Sequence, residues 1–365
     1  MLPPVPSPTS LPITGRPVRL AVVGLGQISE LVLPTYLHRD DVEVVGLCDR
    51  DPTKVARWVA DFPDATGTTD LDALLEVDAD VVDVLVPTPA HGEVVCRVLE
   101  AGRHVQVQKP LARSLEDADR MLAAAAASGA TLRVMEDYLF FPPITMLREL
   151  IAAGEIGAPT SVHMKIVANG LGGWEVPASS YEWQFEQALD GRGMLVFDHG
   201  WHQLAVAHSL FGPVRRVLGW IGATEIVPGI VMDAPSTLVW EHHNGVRAVL
   251  DISFAPDMYL KSDHYTGDER IEVTGRAGYV RCNRISAHGI QEPSVELYRD
   301  GVVRGFHAID DHPMDAFGGS TDHALAWLRG DGSELVMDGP RSREVLVTLL
   351  AALESSRLER PIDLE

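Results

Sequence analysis

The chain has 365 residues, 46% hydrophobic and 22% charged, which suits two globular domains with ample core. Its net charge is −22, from 52 acidic against 30 basic residues, and no basic face is visible locally, so the pattern excludes nucleic-acid binding and disfavours an anionic membrane surface. No apolar run approaches the roughly 20 residues of a membrane span. The three cysteines, Cys48, Cys96 and Cys282, match no disulfide or zinc spacing and read as buried thiols in a reducing cytoplasm.

Residues 1–17, MLPPVPSPTSLPITGRP, lack a basic start and a continuous apolar core, so they read as a disordered proline-rich tail and not a signal peptide. The apolar run Leu20–Val23 then meets Gly24-Leu25-Gly26-Gln27-Ile28-Ser29, and Ile28, Leu31, Val32 and Tyr36 continue at helical spacing. Strand, glycine turn and helix form the context of a dinucleotide fingerprint. Gly24 permits the tight turn, Gly26 leaves bare backbone for a pyrophosphate, and amides at the helix start face its charge. Ser29 stands where glycine or alanine is usual, so the helix must pack around a hydroxyl. The second strand, Val42–Cys48, ends at Asp49, near the spacing at which an acid bonds an adenosine ribose. Aspartate there favours NAD over NADP, while Arg50 beside it can hold a 2′-phosphate. The other reading of Asp49 is a cap for the helix opening at Asp51-Pro52.

A short helix over Asp70–Leu75 precedes the strand Val81–Val86, which Pro87-Thr88-Pro89-Ala90-His91 breaks. A helix to Gly102 follows, then the strand His104–Val107, Gln108-Lys109-Pro110, a helix opened by Ser114 and Asp117, and a sixth strand, Thr131–Met135. This alternation predicts a parallel, doubly wound sheet with ligands at the carboxyl ends of its strands, where Thr88, His91 and Lys109 sit. Only four residues are lysine against 26 arginines. An ammonium at a strand end can polarise a substrate hydroxyl, and the proline after it favours a cis bond; the other reading is a surface lysine in a loop.

From Pro142 the register changes. A helix through Ile144, Leu147, Leu150 and Ile151 ends at Gly154, and Thr160–Val167 reads as a strand. Asn169-Gly170-Leu171-Gly172-Gly173-Trp174, Tyr181 and Trp183 offer aromatic faces beside polar groups, suited to a carbohydrate or to a dimer contact. In Gly193-Met194-Leu195-Val196-Phe197-Asp198-His199-Gly200-Trp201-His202, a helix to Leu210 puts Asp198 and His202 four apart on one face. Histidine suits the base for alcohol oxidation, and a carboxylate can orient it. A helix cap with a buried histidine, or a metal site of Asp198, His199 and His202, are the other readings. Beyond Pro213, strand-like runs at Val214–Ile221, Ser236–Trp240, Val246–Ile252, Arg270–Thr274, Tyr279–Cys282 and Val295–Tyr298 predict an open, largely antiparallel sheet. Helices would cover one face, leaving the other for a subunit interface. Asp257–Asp268 reads as a polar loop, with His264 and Tyr265 in it, and Asp315–Leu328 and Arg341–Leu358 as closing helices.

The order G-L-G-Q-I, T-P-A-H, Q-K-P-L-A, then G-x-L-x-x-D-x-G-x-H before a leucine-rich helix resembles the Gfo/Idh/MocA oxidoreductases from Val18 to Leu358. The resemblance implies a Rossmann domain, expected at 18–138, and an α/β domain with an open antiparallel sheet, expected at 139–365, assembled as dimers or tetramers through that sheet. It implies reversible NAD(P)-linked oxidation of a sugar or cyclitol hydroxyl, with Lys109, Asp198 and His202 catalytic and the histidine as acid/base. Gly24, Gly26, Gln27, Ile28, Asp49, Arg50, Pro87, Thr88, His91, Gln108 and Lys109 are the expected NAD contacts. Lys109, Tyr138, Asn169, Trp174, Trp183, Asp198 and His202 are the expected substrate contacts; no metal is expected. Three residues depart from the family pattern: Gln108 replaces a glutamate, Leu139 an arginine, and Gln203-Leu204 an Ile-Asp pair. Within the same resemblance, a glycosidase working by transient oxidation and elimination, or a non-catalytic nucleotide-binding protein, are the alternatives.

Overall fold

Short β-branched runs separated by helical patterns build one sheet. The computed structural model describes residues 12–173, 182–227, 230–262, 267–285 and 291–364. Its first sheet joins β1 (Val18–Val23), β2 (Val42–Cys48), β3 (Thr66–Thr68), β4 (Val81–Val84), β5 (His104–Gln108) and β6 (Leu132–Met135), in the order β3-β2-β1-β4-β5-β6. All its pairs are parallel. The edge strand β3, only three residues long, carries no pattern of its own. Between the strands run α1 (Ser29–Val32), α2 (Pro52–Asp61), α3 (Leu71–Leu75), α4 (His91–Glu100) and α5 (Leu115–Ser128). The helix expected through Tyr36 is α for four residues and then tightens to a 3₁₀ turn at Leu33–Tyr36, because Pro34 has no N–H to give.

This sheet buries polar groups as well as apolar ones. Asp83, Gln106 and Arg133 stand opposite one another on β4, β5 and β6. Gln106 donates to Asp83 at 2.9 Å, the Tyr36 hydroxyl donates to Asp83 at 2.6 Å, and Arg133 donates to Gln106 at 2.6 Å and to Ser320 at 2.7 Å. Burial pushes the Asp83 carboxyl up to about 7 and the Arg133 guanidinium down to about 10.

The chain divides into two compact units: the residues up to Glu136 with Phe317–Leu346, and Asp137–Ala316 with the residues from Val347 on. The return of Phe317–Leu346 to the first unit departs from the expected single run at 139–365. In that unit, Val134 N–H donates to Met337 O at 2.9 Å, so the returning segment extends the edge at β6.

In the second unit, nine strands form a mixed sheet: β7 (Pro159–Leu171), β8 (Val214–Ile221), β11 (Ser236–His242), β12 (Arg247–Tyr259), β13 (Gly267–Gly275), β14 (Gly278–Ile285), β15 (Val295–Arg299), β16 (Val302–Phe306) and β17 (Ile362–Asp363). The two remaining strands, β9 (Thr224–Val227) and β10 (Ile230–Met232), pair only with each other among the described residues. In the order β16-β15-β14-β13-β7-β12-β11-β8-β17, only β7–β12 is parallel. β12 runs on to Tyr259, so Asp257 belongs to a strand and not to the expected loop. Period-two burial puts Val162, Met164, Ile166, Leu250 and Ile252 on the inner face, and the outer face shows Trp220 and Val239. Its helices are α6 (Pro142–Ala152), α7 (Glu182–Leu189) and α8 (Gly200–Phe211), with the part of α10 (Gly339–Leu358) from Val347 on; most of α9 (Pro313–Leu328) belongs to the first unit. Among the described residues, no helix is long and apolar enough to cross a membrane.

Candidate active site

The glycine turn is built by close approach. Gly24 has φ +93°, its N–H bonds Cys48 O at 2.8 Å, and a Cβ on it would sit 2.6 Å from the Leu85 carbonyl carbon. Gly26 differs, for nothing lies within 4 Å of where its Cβ would be. That open backbone is the room a pyrophosphate requires, with Gln27 and Ile28 partly exposed beside it. Ser29 explains how this chain does without a third glycine: its buried hydroxyl donates to Gly26 O at 2.6 Å and accepts from Trp58 Nε1 at 3.1 Å.

Asp49 reaches back to the same turn. Its oxygens accept from Leu25 N–H at 2.7 Å and Asp51 N–H at 2.9 Å. The cap of α2 is Asp51, which accepts from Thr53 N–H at 2.8 Å, and Arg50 is exposed beside it. At the end of β4, Pro87 is exposed and Thr88 buried. His91 is buried, with Nε2 3.0 Å from Val86 O and Nδ1 3.0 Å from Pro110 O and 3.2 Å from Leu111 O. Its ring therefore ties the end of β4 to the Lys109-Pro110 segment. The Lys109–Pro110 bond is cis, and the buried Gln108 side chain folds back to accept from Lys109 N–H at 2.8 Å.

In the second unit the motif Gly193–His202 is not one helix. Met194–His199 is a π-helical turn that leads into α8. Gly193 O accepts from both Phe197 N–H at 3.2 Å and Asp198 N–H at 3.3 Å, the mixed i+4 and i+5 pattern of such a turn. Asp233 caps its start: its carboxylate accepts from Leu195 N–H at 2.9 Å and Val196 N–H at 2.6 Å. Burial pushes the Asp233 carboxyl up, and those two amides pull it back. Asp198 is thus on the turn and His202 on α8, so the shared α-helical face expected from their spacing is corrected.

Asp198 is buried and accepts from Gln184 Nε2 at 3.1 Å. His202 is buried, its ring stacked on Tyr138 with centroids 3.9 Å apart and planes within 9°, and its Nδ1 lies 4.0 Å from Asp137 Oδ1. Tyr138 in turn donates to Glu269 Oε1 at 2.9 Å; His199 Nε2 stands 3.0 Å from that oxygen, and Gln203 donates to Oε2 at 2.7 Å. Asp198, His199 and His202 therefore face Gln184, Glu269 and Tyr138 with Asp137. Asn169 is buried on β7; its amide N–H donates to Leu171 O at 2.8 Å, and its Oδ1 has no hydrogen-bond partner among the described residues. Trp183 is half-buried on α7. Trp174, Tyr181, His264 and Tyr265 lie outside the described residues.

Asp137, Asp233 and Glu269 are the site residues that the sequence reading misses. For Glu269 a signal exists: it is in phase with Ile271 and Val273, and a charge on the buried face of a strand needs a partner.

The family model for an oxidoreductase family with an NAD-binding Rossmann fold matches residues 18–136, and that for the GFO/IDH/MocA C-terminal domain matches 144–281. The 1-carboxy-3-chloro-3,4-dihydroxycyclohexa-1,5-diene dehydrogenase of Comamonas testosteroni is 33% identical over 68% of this chain and 61% of its own. This chain belongs to the GFO/IDH/MocA oxidoreductase family. Within the family, the dTDP-3,4-didehydro-2,6-dideoxy-alpha-D-glucose 3-reductase of Saccharopolyspora spinosa is 34% identical over 79% of this chain and 81% of its own. The fold matches that of an oxidoreductase from Agrobacterium radiobacter solved with NAD+, L-tartaric acid and magnesium, with a TM-score of 0.79 and 20% identity over 95% of this chain and 98% of that one.

Proposed function

We propose that this family member is an NAD-dependent dehydrogenase or reductase acting on a CH–OH carbon of a sugar, sugar derivative or cyclitol. The observation that carries the reading is His202: a buried imidazole held flat against Tyr138, with one nitrogen facing the Asp137 carboxylate. A ring so held takes a proton on its other nitrogen, and a carboxylate stabilises the cation that results. In the oxidative direction His202 takes the hydroxyl proton, Lys109 polarises the oxygen, and Asp198 positions substrate and base. Asn169 Oδ1 supplies an acceptor for a further hydroxyl, and Trp183 an apolar face for C–H groups. Tyr138 is assigned to holding His202 more than to direct substrate contact.

NAD, when bound, supplies the hydride acceptor. The open backbone at Gly26 and the Asp49 carboxylate fit it, since two accepted N–H groups leave a carboxylate further lone pairs for ribose hydroxyls. Gln27, Ile28, Thr88 and the Gln108–Lys109 backbone would line the dinucleotide. His91 would serve it indirectly, through the segment that its ring holds. The two relatives at 33% and 34% identity, named for a cyclic diol and a dTDP-sugar ketone, favour a ring-borne secondary alcohol.

The test is reduction of NAD or NADP followed at 340 nm across a panel of polyols, aldoses and inositols. His202→Ala is expected to abolish turnover and keep cofactor binding; retained turnover rejects the base. We assign the outer face of the second sheet, with Trp220 and Val239, to self-association, which light scattering on Trp220→Glu tests by a fall in mass.

A further inference from the structure

Glu269 is a charge where the strand pattern calls for an apolar residue. It is 4% exposed, and its neighbours on the same face of β13, Ile271 and Val273, are core. A buried carboxylate is costly unless its lone pairs are matched. Glu269 gathers its donors from two places far away in sequence: Tyr138 in the turn after β6, and His199 and Gln203 where the π-helical turn meets α8. With the carboxylate ionised, His199 donates from Nε2, which fixes its tautomer. Both groups bear on one ring. Tyr138 lies flat on His202, Gln203 is its neighbour on α8, and the His199 ring stands edge-on to Tyr138 at 6.2 Å and to His202 at 5.6 Å.

We propose that Glu269 is a positioning residue for the acid/base histidine, fixing the Tyr138 hydroxyl and the Gln203 amide so that the His202 ring is held in one plane. This rests on the reading of His202 as the base. An imidazole turns easily about its Cβ–Cγ bond, and stacking on an anchored phenol stops that turn. A reacting group misplaced by about 1 Å loses up to about a hundredfold in rate. Anchoring a ring through this carboxylate costs the fold less than burying an unmatched charge, because Tyr138, His199 and Gln203 match its oxygens, and each of the three touches or adjoins the base.

Two measurements test it. In protein carrying ¹³C-labelled histidine, the His202 ring protons, assigned by their loss in His202→Gln, are expected upfield under the Tyr138 ring current. Glu269→Ala removes that shift, and Glu269→Gln, which still accepts from the Tyr138 hydroxyl, keeps it. With a polyol that the wild type oxidises, Glu269→Ala and Tyr138→Phe lower kcat between about tenfold and a hundredfold and leave the Kd for NAD within about twofold. Glu269→Gln returns kcat to within about threefold of wild type. If Glu269→Ala does not fold, Tyr138→Phe gives both readouts on its own. A purely structural Glu269 would lower the melting temperature but leave kcat per folded site unchanged. Unshifted His202 signals in the wild type, a shift that survives Glu269→Ala or, where that variant does not fold, Tyr138→Phe, or a kcat within about twofold in the variants, overturns the proposal. Because the spectra need no substrate, an inactive wild type with shifted His202 signals counts against the dehydrogenase reading and not against the clamp.

Discussion

Asp233→Ala separates the carboxylate that shapes the candidate site from the residues proposed to perform chemistry there. Asp233 accepts from two backbone amides, Leu195 and Val196, at 2.9 and 2.6 Å. A hydrogen bond to a charged group contributes about 1.5–3 kcal/mol. Both bonds are only partly buried, so the lower end applies, and removing both costs about 3 kcal/mol. For a unit of about 200 residues that is a fall of roughly 6–12 °C in the unfolding temperature. Asp233→Asn keeps one acceptor and sets an N–H₂ against the other amide, so its loss is intermediate, about 2 kcal/mol. The functional consequence goes further than stability. Without its cap the first turn of this stretch can fray, which displaces Asp198 relative to His202, and kcat falls about tenfold or more. Calorimetry and urea titration read the first effect, and steady-state kinetics on the folded protein the second. An Asp233→Ala protein that melts within about 1 °C of wild type with unchanged kcat refutes the reasoning.

Gly193→Ala places a Cβ 2.1 Å from the Asp233 carboxylate carbon, so it expels the same cap; in a double-mutant cycle with Asp233→Ala the two losses fall short of their sum, by urea unfolding. Gly24→Ala combines φ +93° with a Cβ 2.6 Å from the Leu85 carbonyl carbon, and is expected to cost about 2 kcal/mol or more and to weaken NAD binding, as read by calorimetry and cofactor fluorescence. The two units carry opposite pH signatures. Burial raises Asp83 to about 7, so its contribution is whole below the unfolded value near 4 and is lost as pH climbs through 7; burial lowers His208 to about 3, so its contribution is whole above 6.5 and is lost as pH falls toward 3. Asp83→Asn should therefore flatten the loss of stability between about pH 4 and 7, and His208→Gln the loss below about 6, each measured against wild type by urea unfolding.

How far the sequence speaks depends on how local the cause is. Leu20–Val23 before Gly24 is readable because a buried strand and its turn are neighbours along the chain. Family membership is readable through the order of several short motifs, those around Lys109 and His202 among them. The cap of the π-helical turn is not, because it comes from Asp233, which follows Val196 by 37 residues and carries no local pattern among 52 acidic residues. The same holds for Asp137 at His202 Nδ1, hidden in Glu136-Asp137-Tyr138 beside the sought arginine position at Leu139. Asp83 and Glu269 fall between these cases. Each interrupts an apolar strand in phase with its buried residues, which marks them as matched charges without saying what matches them.

On the proposed function, rate and substrate choice have separate seats in the second unit. Asp233 fixes the start of the Met194–His202 stretch through its amides, and Glu269 fixes its end through His199 and Gln203. Neither carboxylate is proposed to touch substrate. Asn169 is different: its Nδ2 is committed to Leu171 O, while its buried Oδ1 has no partner among the described residues. A buried acceptor left unmatched costs about 1–3 kcal/mol, which a substrate hydroxyl would recover on binding. Asn169→Leu, which removes the acceptor at similar size, is expected to raise KM for the preferred polyol by about tenfold or more and to narrow its advantage over an analogue lacking one hydroxyl, with kcat held within about threefold. Asp233→Asn should do the reverse, lowering kcat with the ranking of substrates preserved. A ranking that shifts in Asp233→Asn and stays fixed in Asn169→Leu would show that the two seats are not separate.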